Sequence, residues 1–396
     1  MKMKPLGEGM RIALNMLEFN PGGMGGVETY VRELVRGLAS PGSDCELTII
    51  CSERASEYFT ALAPACRQVV FTTRRGSLSR LARGILRSVG IDLVKMAVDN
   101  LGVDLVHTPY TNVRSYRFRS PQVVTFLDLQ HEYFPEFFSE RELQRRRRKF
   151  QQAAHIATRI IAISRFTKDC LVELYGVEPG RIHVVHLASN PSYCIRSDQR
   201  ELAAVRKRYG LIRPFLFYPA ATWPHKNHAM LLEALKIIVE RHNFSGELVL
   251  TGIASHHHET VRRSIAELGL TDQVRILGYL PYDDIPYLYN LARLLVFPSL
   301  HEGFGIPLVE AMASGCPVVC SDRTSIPEVV GDAGLMFNPE SPEEIAVSIW
   351  TAWNNQELLS ALREKGLRRA ADFSWARTIE DTIHIYRGLC TPGVSR

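Results

Sequence analysis

At 396 residues the chain exceeds the usual span of one hydrophobic core and predicts two domains. Its 46% apolar and 22% charged content excludes a disordered or fibrous chain, and no run approaches the roughly 18 apolar residues of a membrane span. The net charge of +5 is uneven: residues 1–200 hold 28 basic and 20 acidic side chains, the remainder 19 and 22.

The opening MKMKPLGEGM lacks the apolar core of a signal peptide. Next, RIALNMLEF (11–19) reads as a strand, PGGMGG (21–26) as a glycine turn and VETYVRELVRGL (27–38) as a helix. That helix places Val27, Tyr30, Val31, Leu34 and Leu38 on one face. ELTIICS (46–52) is a second strand. RRGSLSRLARGILR (74–87) carries five arginines and no acid, interleaved with apolar positions, which suits an anionic membrane surface. VDLVHT (103–108), QVVTFLD (122–128), RIIAIS (159–164) and RIHVVHLA (181–188) are further strands. Ser164 is placed to cap the helix that begins at Arg165. RELQRRRRKF (141–150) is a second basic segment, open to two readings: a membrane contact or a solvated helix face. Neither basic segment interleaves aromatic residues, so nucleic acid is not an expected partner.

The polar stretch NPSYCIRSDQRE (190–201) divides the chain into domains of 1–195, with the final helix 374–396 returning to it, and 196–373. A second round of strands follows at 214–220, 246–252, 273–279, 293–299, 316–322 and 333–339, alternating with helices. Such alternation predicts parallel α/β architecture: two doubly wound, Rossmann-like domains facing a central cleft. SWARTIEDTIHIYRGL (374–389) has no place in the second sheet and is expected to cross back onto the first domain. The eight cysteines form no CxxC pair or zinc spacing, which predicts reduced thiols and a cytoplasmic protein. HHH at 256–258 reads as a solvated loop, since adjacent histidines do not readily share one ion. Cys316 and Cys320 read as packing residues.

The densest chemistry lies in HEGFGIPLVEAMASGCPVV (301–319). Glu302 follows the apolar run RLLVFPS, glycines bracket Phe304, and Pro307 suits the first position of a helix, where its missing N–H costs nothing. Strand, glycine turn and helix leave free backbone N–H groups between Glu302 and Glu310. Amides there can hold an anion while the carboxylates hold hydroxyls.

EGFGIPLVEAMASGCPVV, with LVFPS before it and SIPEVVGDAGLMFNP after it, resembles the signature of the family 4 retaining glycosyltransferases of GT-B fold. GGMGGVETYVRELVRGL, AISRFTKDCLVELYGV, FYPAATWPHKNH and the final SWARTIEDTIHIY match that family as well, so the resemblance spans nearly the whole chain. It implies transfer of a sugar from a nucleotide-sugar to an acceptor, with retention at the anomeric carbon, no obligatory metal and no cofactor. WPHKNH and DLQHEYFPEFF look most like a bacterial branch linked to mannose in surface polysaccharide assembly. A GDP-sugar donor, with GDP-mannose the candidate, a glycan or lipid-linked acceptor and a place on the inner leaflet of the plasma membrane are the corresponding expectations.

On this reading Lys226 meets the donor phosphates and the charge that grows on the leaving group. The amides around Gly305, Ile306 and Leu308 favour the diphosphate. Glu310 accepts from the ribose hydroxyls, and Glu302 with Gly303 and Phe304 holds those of the transferred sugar. Gly23, Gly25 and Gly26 bring backbone N–H groups close to the diphosphate, and the base lies near Gly278 and Leu280. The chain departs from the family pattern twice. Ala220 stands where an arginine is usual, leaving His225, His228 or an arginine of the first domain to meet the phosphate charge. Leu127 precedes Asp128 where a histidine is usual, so Asp128 and His131 are the catalytic candidates on that side, His131 being equally suited to packing near Tyr133 and Phe134.

Other readings share parts of this pattern. A GT-B epimerase or a phosphorylase would use the same double-Rossmann plan. A non-catalytic sugar-nucleotide sensor would keep the donor residues and tolerate Ala220 and Leu127. A dinucleotide oxidoreductase needs GxGxxG after the first strand, a spacing GGMGGVE does not have.

Overall fold

The apolar runs at the start of the chain lie side by side in one direction, Met10 opposite Cys45 and Met16 opposite Cys51. The computed structural model describes residues 9–72, 92–111 and 116–390; the basic stretch 74–87 lies outside them. Among the described residues the chain forms two compact units. One runs to His186 and resumes at Trp375, and the other covers Leu187–Ser374.

The first unit is built on β1 (Met10–Met16), α1 (Gly26–Leu38), β2 (Cys45–Ser52), α2 (Glu53–Leu62), β3 (Arg67–Phe71), α3 (Leu93–Asp99), β4 (Leu105–Thr108) and β5 (Gln122–Phe126). It continues through α4 (Gln130–Tyr133), α5 (Glu140–Ile156), β6 (Arg159–Ala162), α6 (Arg165–Tyr175) and β7 (Ile182–Val184). Its parallel sheet has the order β3-β2-β1-β4-β5-β6-β7. Central strands such as β4 and β5 are buried throughout, as a parallel sheet covered on both faces requires. α1 turns Tyr30, Val31, Leu34, Val35 and Leu38 inward. Ser164 caps α6, its hydroxyl accepting from the Thr167 N–H at 3.0 Å.

α7 (Gln199–Arg208), β8 (Phe215–Pro219), α8 (His228–Arg241), β9 (Glu247–Thr251), α9 (His258–Glu267), β10 (Val274–Gly278) and α10 (Ile285–Leu291) open the second unit. β11 (Leu294–Phe297), α11 (Ile306–Ala313), β12 (Val318–Ser321), α12 (Ile326–Val330), β13 (Gly334–Phe337), α13 (Pro342–Asn354) and α14 (Gln356–Ala370) complete it. Its parallel sheet is ordered β10-β9-β8-β11-β12-β13. Pro307 takes the second helical position of α11 instead of the first, because Gly305, at φ 93°, caps the helix and Ile306 begins it. A side chain at Gly305 would also run into Leu308, whose Cδ1 lies 2.9 Å from a Cβ built there, so only glycine fits this turn.

The final helix, α15 (Trp375–Cys390), packs with the first unit, as the sequence predicts. Gly37 on α1 lets it approach: a Cβ there would come within 2.4 Å of Ile379. The buried Tyr386 hydroxyl lies 2.5 Å from Nδ1 of His107, whose Nε2 is 2.9 Å from Oγ1 of Thr125. Tyr30 on α1 reaches the same threonine at 3.0 Å. Burial pushes the His107 pKa down to about 3, so the ring is neutral and passes hydrogen bonds from α15 through β4 and β5 to α1. All eight cysteines are free thiols. Burial raises the pKa of Cys316 to about 12, consistent with packing.

Candidate functional site

β8 and β11 are neighbours at the middle of the second sheet, with β9 and β10 on one side and β12 and β13 on the other. Loops leaving the carboxyl ends of such a pair diverge and open a crevice, the usual ligand position in a doubly wound sheet. After β8 the chain makes a single 3₁₀ turn, Pro224–Lys226. After β11 it passes through Pro298 to Gly305. Several bonds tie the two loops. The Leu300 N–H donates to the His225 carbonyl at 2.8 Å. Asn227, held at φ 60°, donates from Nδ2 to the carbonyls of Pro298 and Pro339 at 3.1 and 2.7 Å. The Tyr218 hydroxyl donates to the Lys226 carbonyl at 2.7 Å and lies 3.2 Å from the Ser299 hydroxyl.

This framework brings together two residues that lie 76 positions apart in the chain. Nζ of Lys226 lies 2.6 Å from Oε1 of Glu302, the two side chains being 18% and 12% exposed. Glu302 is itself fixed by its backbone, its N–H donating to Thr324 Oγ1 at 3.1 Å and its carbonyl accepting from Ser325 at 2.9 Å. Removing one member of such a sheltered pair leaves the other uncompensated. In this structure each of the two side chains is therefore the other's charge partner.

Glu310 lies on α11, one turn inside the helix, and is buried. Its Oε2 accepts from the Tyr289 hydroxyl at 3.0 Å. Burial raises its pKa to about 7, and hydrogen bonds from Tyr289 and Tyr193 pull the other way. At the head of α11 the Leu308 N–H donates back to the Gly305 carbonyl at 2.9 Å, so its predicted role at an anion is taken up inside the turn. Helix geometry leaves the amides of Gly305 and Ile306 ahead of that turn. The Phe304 side chain is 2% exposed and meets Phe373 edge to face, which leaves only its backbone to face a ligand. Gly278, at φ 71°, ends β10. Leu280 is buried while Tyr279 between them is exposed.

In the first unit the glycine turn lies where β1 gives way to α1, at that sheet's own switch point between β1 and β4. Gly22 and Gly25 have positive φ, and Gly25 caps α1 without a side-chain bond. The Gly22 N–H donates to the Glu28 carboxylate at 2.8 Å. Gly23, Gly25 and Gly26 are exposed. Asp128 is half-buried at the exit of β5. His131 is fully buried: its Nε2 is 3.1 Å from the Tyr175 hydroxyl and its ring packs edge-on against Phe150 at 4.4 Å. Its ring is thus packed on Phe150 of α5. Burial pushes its pKa down to about 4. In the histidine run, His256 contacts Trp223, His257 caps α9 and His258 begins it. Among the described residues no cluster of three or more His, Cys, Asp or Glu side chains could hold a metal ion.

Sequence reasoning missed Asn227, Tyr218, Tyr289, Tyr193 and Thr324. Only Asn227 carried a signal, since asparagine is among the few side-chain-bearing residues that readily take positive φ.

A profile of the family described as Glycosyltransferase Family 4 matches residues 24–192, and one described as Glycosyl transferases group 1 matches residues 206–369. O-antigen chain mannosyltransferase B of Escherichia coli is 31% identical over 267 residues, covering 67% of this chain and 70% of that protein. The chain belongs to the family 4 glycosyltransferases. O-antigen chain mannosyltransferase RfbU of Salmonella typhimurium is also similar, at 27% identity over 74% of this chain and 77% of the relative. Among solved structures, HepE of Anabaena in complex with UDP and glucose superposes with a TM-score of 0.75 at 20% identity, covering 96% of this chain and 100% of HepE. That likeness confirms the GT-B fold. As a family 4 glycosyltransferase the protein is an enzyme, and the epimerase and sensor readings are not favoured. Among the described residues no helix is long and apolar enough to cross a membrane.

Proposed function

We propose that the enzyme transfers mannose, with retention and without an obligatory metal, from GDP-mannose to a glycan or lipid-linked acceptor of a surface polysaccharide. The observation that carries this reading is the Lys226–Glu302 pair at the switch point of the second sheet, followed directly by the head of α11. The mannose is supported by the relatives, two of which are named for mannosyl transfer in O-antigen chains. In this account the amides before α11 and the Lys226 ammonium hold the diphosphate and take up charge as the glycosidic bond breaks. Released from the lysine, Glu302 accepts hydroxyls of the transferred sugar. Glu310, backed by Tyr289, receives the ribose. The base rests at Gly278–Leu280.

On the acceptor side His131 is enclosed and does not serve as the base. Asp128 is the remaining candidate there, and the departing phosphate is the other group able to take the acceptor proton. Peripheral membrane contact is assigned to the basic segments 74–87 and 141–150. In the second, α5 buries Leu143 and Phe150 and pairs Arg146 with Glu142 and Arg147 with Glu132, leaving Arg141, Arg145 and Arg148 exposed.

The test is incubation of the full chain with GDP-mannose, UDP-glucose and UDP-galactose, each with a bacterial membrane extract as acceptor source. Release of GDP from GDP-mannose alone, with an α-linked product by NMR, is the expected result. Turnover restricted to UDP-sugars would overturn the donor assignment, and a β-linked product would overturn retention.

A further inference from the structure

The charge at the donor site does not balance, and the imbalance points to a proton. Lys226 is neutralised by Glu302 at 2.6 Å, and Ala220, where the family resemblance implies an arginine, is 8% exposed and carries no charge. A nucleotide-sugar diphosphate brings two fixed negative charges. What surrounds Lys226 instead is imidazole. His225 precedes it in the 3₁₀ turn, His228 follows as the first residue of α8, and His301 leads into Glu302.

The groups that act on His225 are Lys226, His301 and His228. Those acting on His228 are Lys226 and, from the head of α9, His257 and His258. No carboxylate is among them. The Tyr218 ring covers one side of His228, at 5.0 Å between centroids. His228 is 3% exposed, and neither of its ring nitrogens has a hydrogen-bond partner among the described residues. Buried polar atoms without partners call for a ligand or water to meet them. The helix it opens is also unfilled: Asn227 makes no cap because its side chain is spent on Pro298 and Pro339. A helix head of 14 residues, two flanking imidazoles and a lysine form a basic cradle that holds little positive charge while empty.

Resting on the donor-site reading above, we propose that the diphosphate enters this cradle together with one proton, carried by the His225–His228 pair, which thereby stands in for the missing arginine. In the empty site burial first, and the Lys226 ammonium second, hold the His225 pKa at about 2 and that of His228 at about 3, so both rings are neutral at pH 7. An opposite charge within about 4–6 Å raises an imidazole's pKa by roughly 1 to 3, so both phosphate charges must act together, carrying one ring from about 3 into the titrated range. The sign follows: protons bind with donor, so donor affinity falls as pH rises.

The test is calorimetry of the full chain with GDP-mannose and, in parallel, UDP-glucose; both are diphosphate diesters whose own charge is constant between pH 5.5 and about 8. Titrations in PIPES and Tris at one pH separate proton uptake from binding heat. The tighter-binding donor is expected to take up about one proton and to lose about tenfold in affinity per pH unit across the range where uptake is seen. In H225Q/H228Q the uptake should vanish and the profile flatten, while thermal unfolding checks that the variant is folded. Donor binding that is pH-independent without uptake, but still lost in K226A, would overturn the proton and leave the donor site standing. Uptake undiminished in a folded H225Q/H228Q protein would also overturn it. Failure of both donors to bind, or binding unaffected by K226A, would remove the donor site and this inference with it.

Discussion

The two sheets share one plan and furnish their switch points in opposite ways. Between β8 and β11 the second unit spends side chains: Lys226 on Glu302, Asn227 on two proline carbonyls, Tyr289 on Glu310. Between β1 and β4 the first unit offers bare backbone, with Gly23, Gly25 and Gly26 exposed and the nearby His131 folded into the core. The difference teaches, on the proposed donor-site reading, where a fixed pattern of charges and hydroxyls is met: by side chains locked in advance in the second unit.

The contrast breaks most visibly at the lysine. K226A should lower kcat/KM by about 10²- to 10³-fold, the range for losing one preorganised group at developing charge, measured by release of nucleoside diphosphate. A loss below tenfold would mean that the second unit's switch point is not where charge develops. H131Q should move in the reverse sense: kcat within about twofold of wild type and a lower melting temperature. A large loss of kcat with unchanged stability would restore His131 to the chemistry.

Glu310 sharpens the comparison through pH. Its folded pKa, about 7, is raised from 4.5 by burial. The stability it contributes by favouring the neutral form is complete below about pH 4.5 and is lost as pH rises through 7. Relative to E310Q, wild type should therefore lose up to about 3 kcal/mol between those limits, read by denaturant unfolding at several pH values. A constant difference would show that the carboxylate is already charged and solvated. The same variant should bind donor about tenfold more weakly, the scale of one hydrogen bond to a charged group.

How much of this was legible beforehand follows from the range of each interaction. The strand, turn and helix from Leu294 to Ala313 could be read from a short apolar run, two glycines and a proline, because those residues act on their own backbone. The return of α15 to the first unit was legible from an amphipathic helix left without a sheet. What fixes the site was not. Lys226 and Glu302 meet across 76 positions, and nothing local announces that Tyr289 will close over Glu310 or that Phe150 will take the face of His131. β3 also escaped notice, since Arg67–Phe71 is short and none of its side chains is fully buried.

The smallest effect expected is at the surface. Reversing Arg145 and Arg148 to glutamate should weaken retention on vesicles containing anionic lipid by about fivefold, the scale of roughly 1 kcal/mol for a surface basic residue. Unchanged retention would leave α5 a solvated face.

The most direct measurement is a crystal structure of the full chain soaked with GDP-mannose. The diphosphate is predicted to lie within hydrogen-bond distance of Lys226 Nζ and the amides of Gly305 and Ile306, with Glu302 released to the sugar and Glu310 on the ribose. Nucleotide bound elsewhere, with the Lys226–Glu302 pair still closed, would contradict the account.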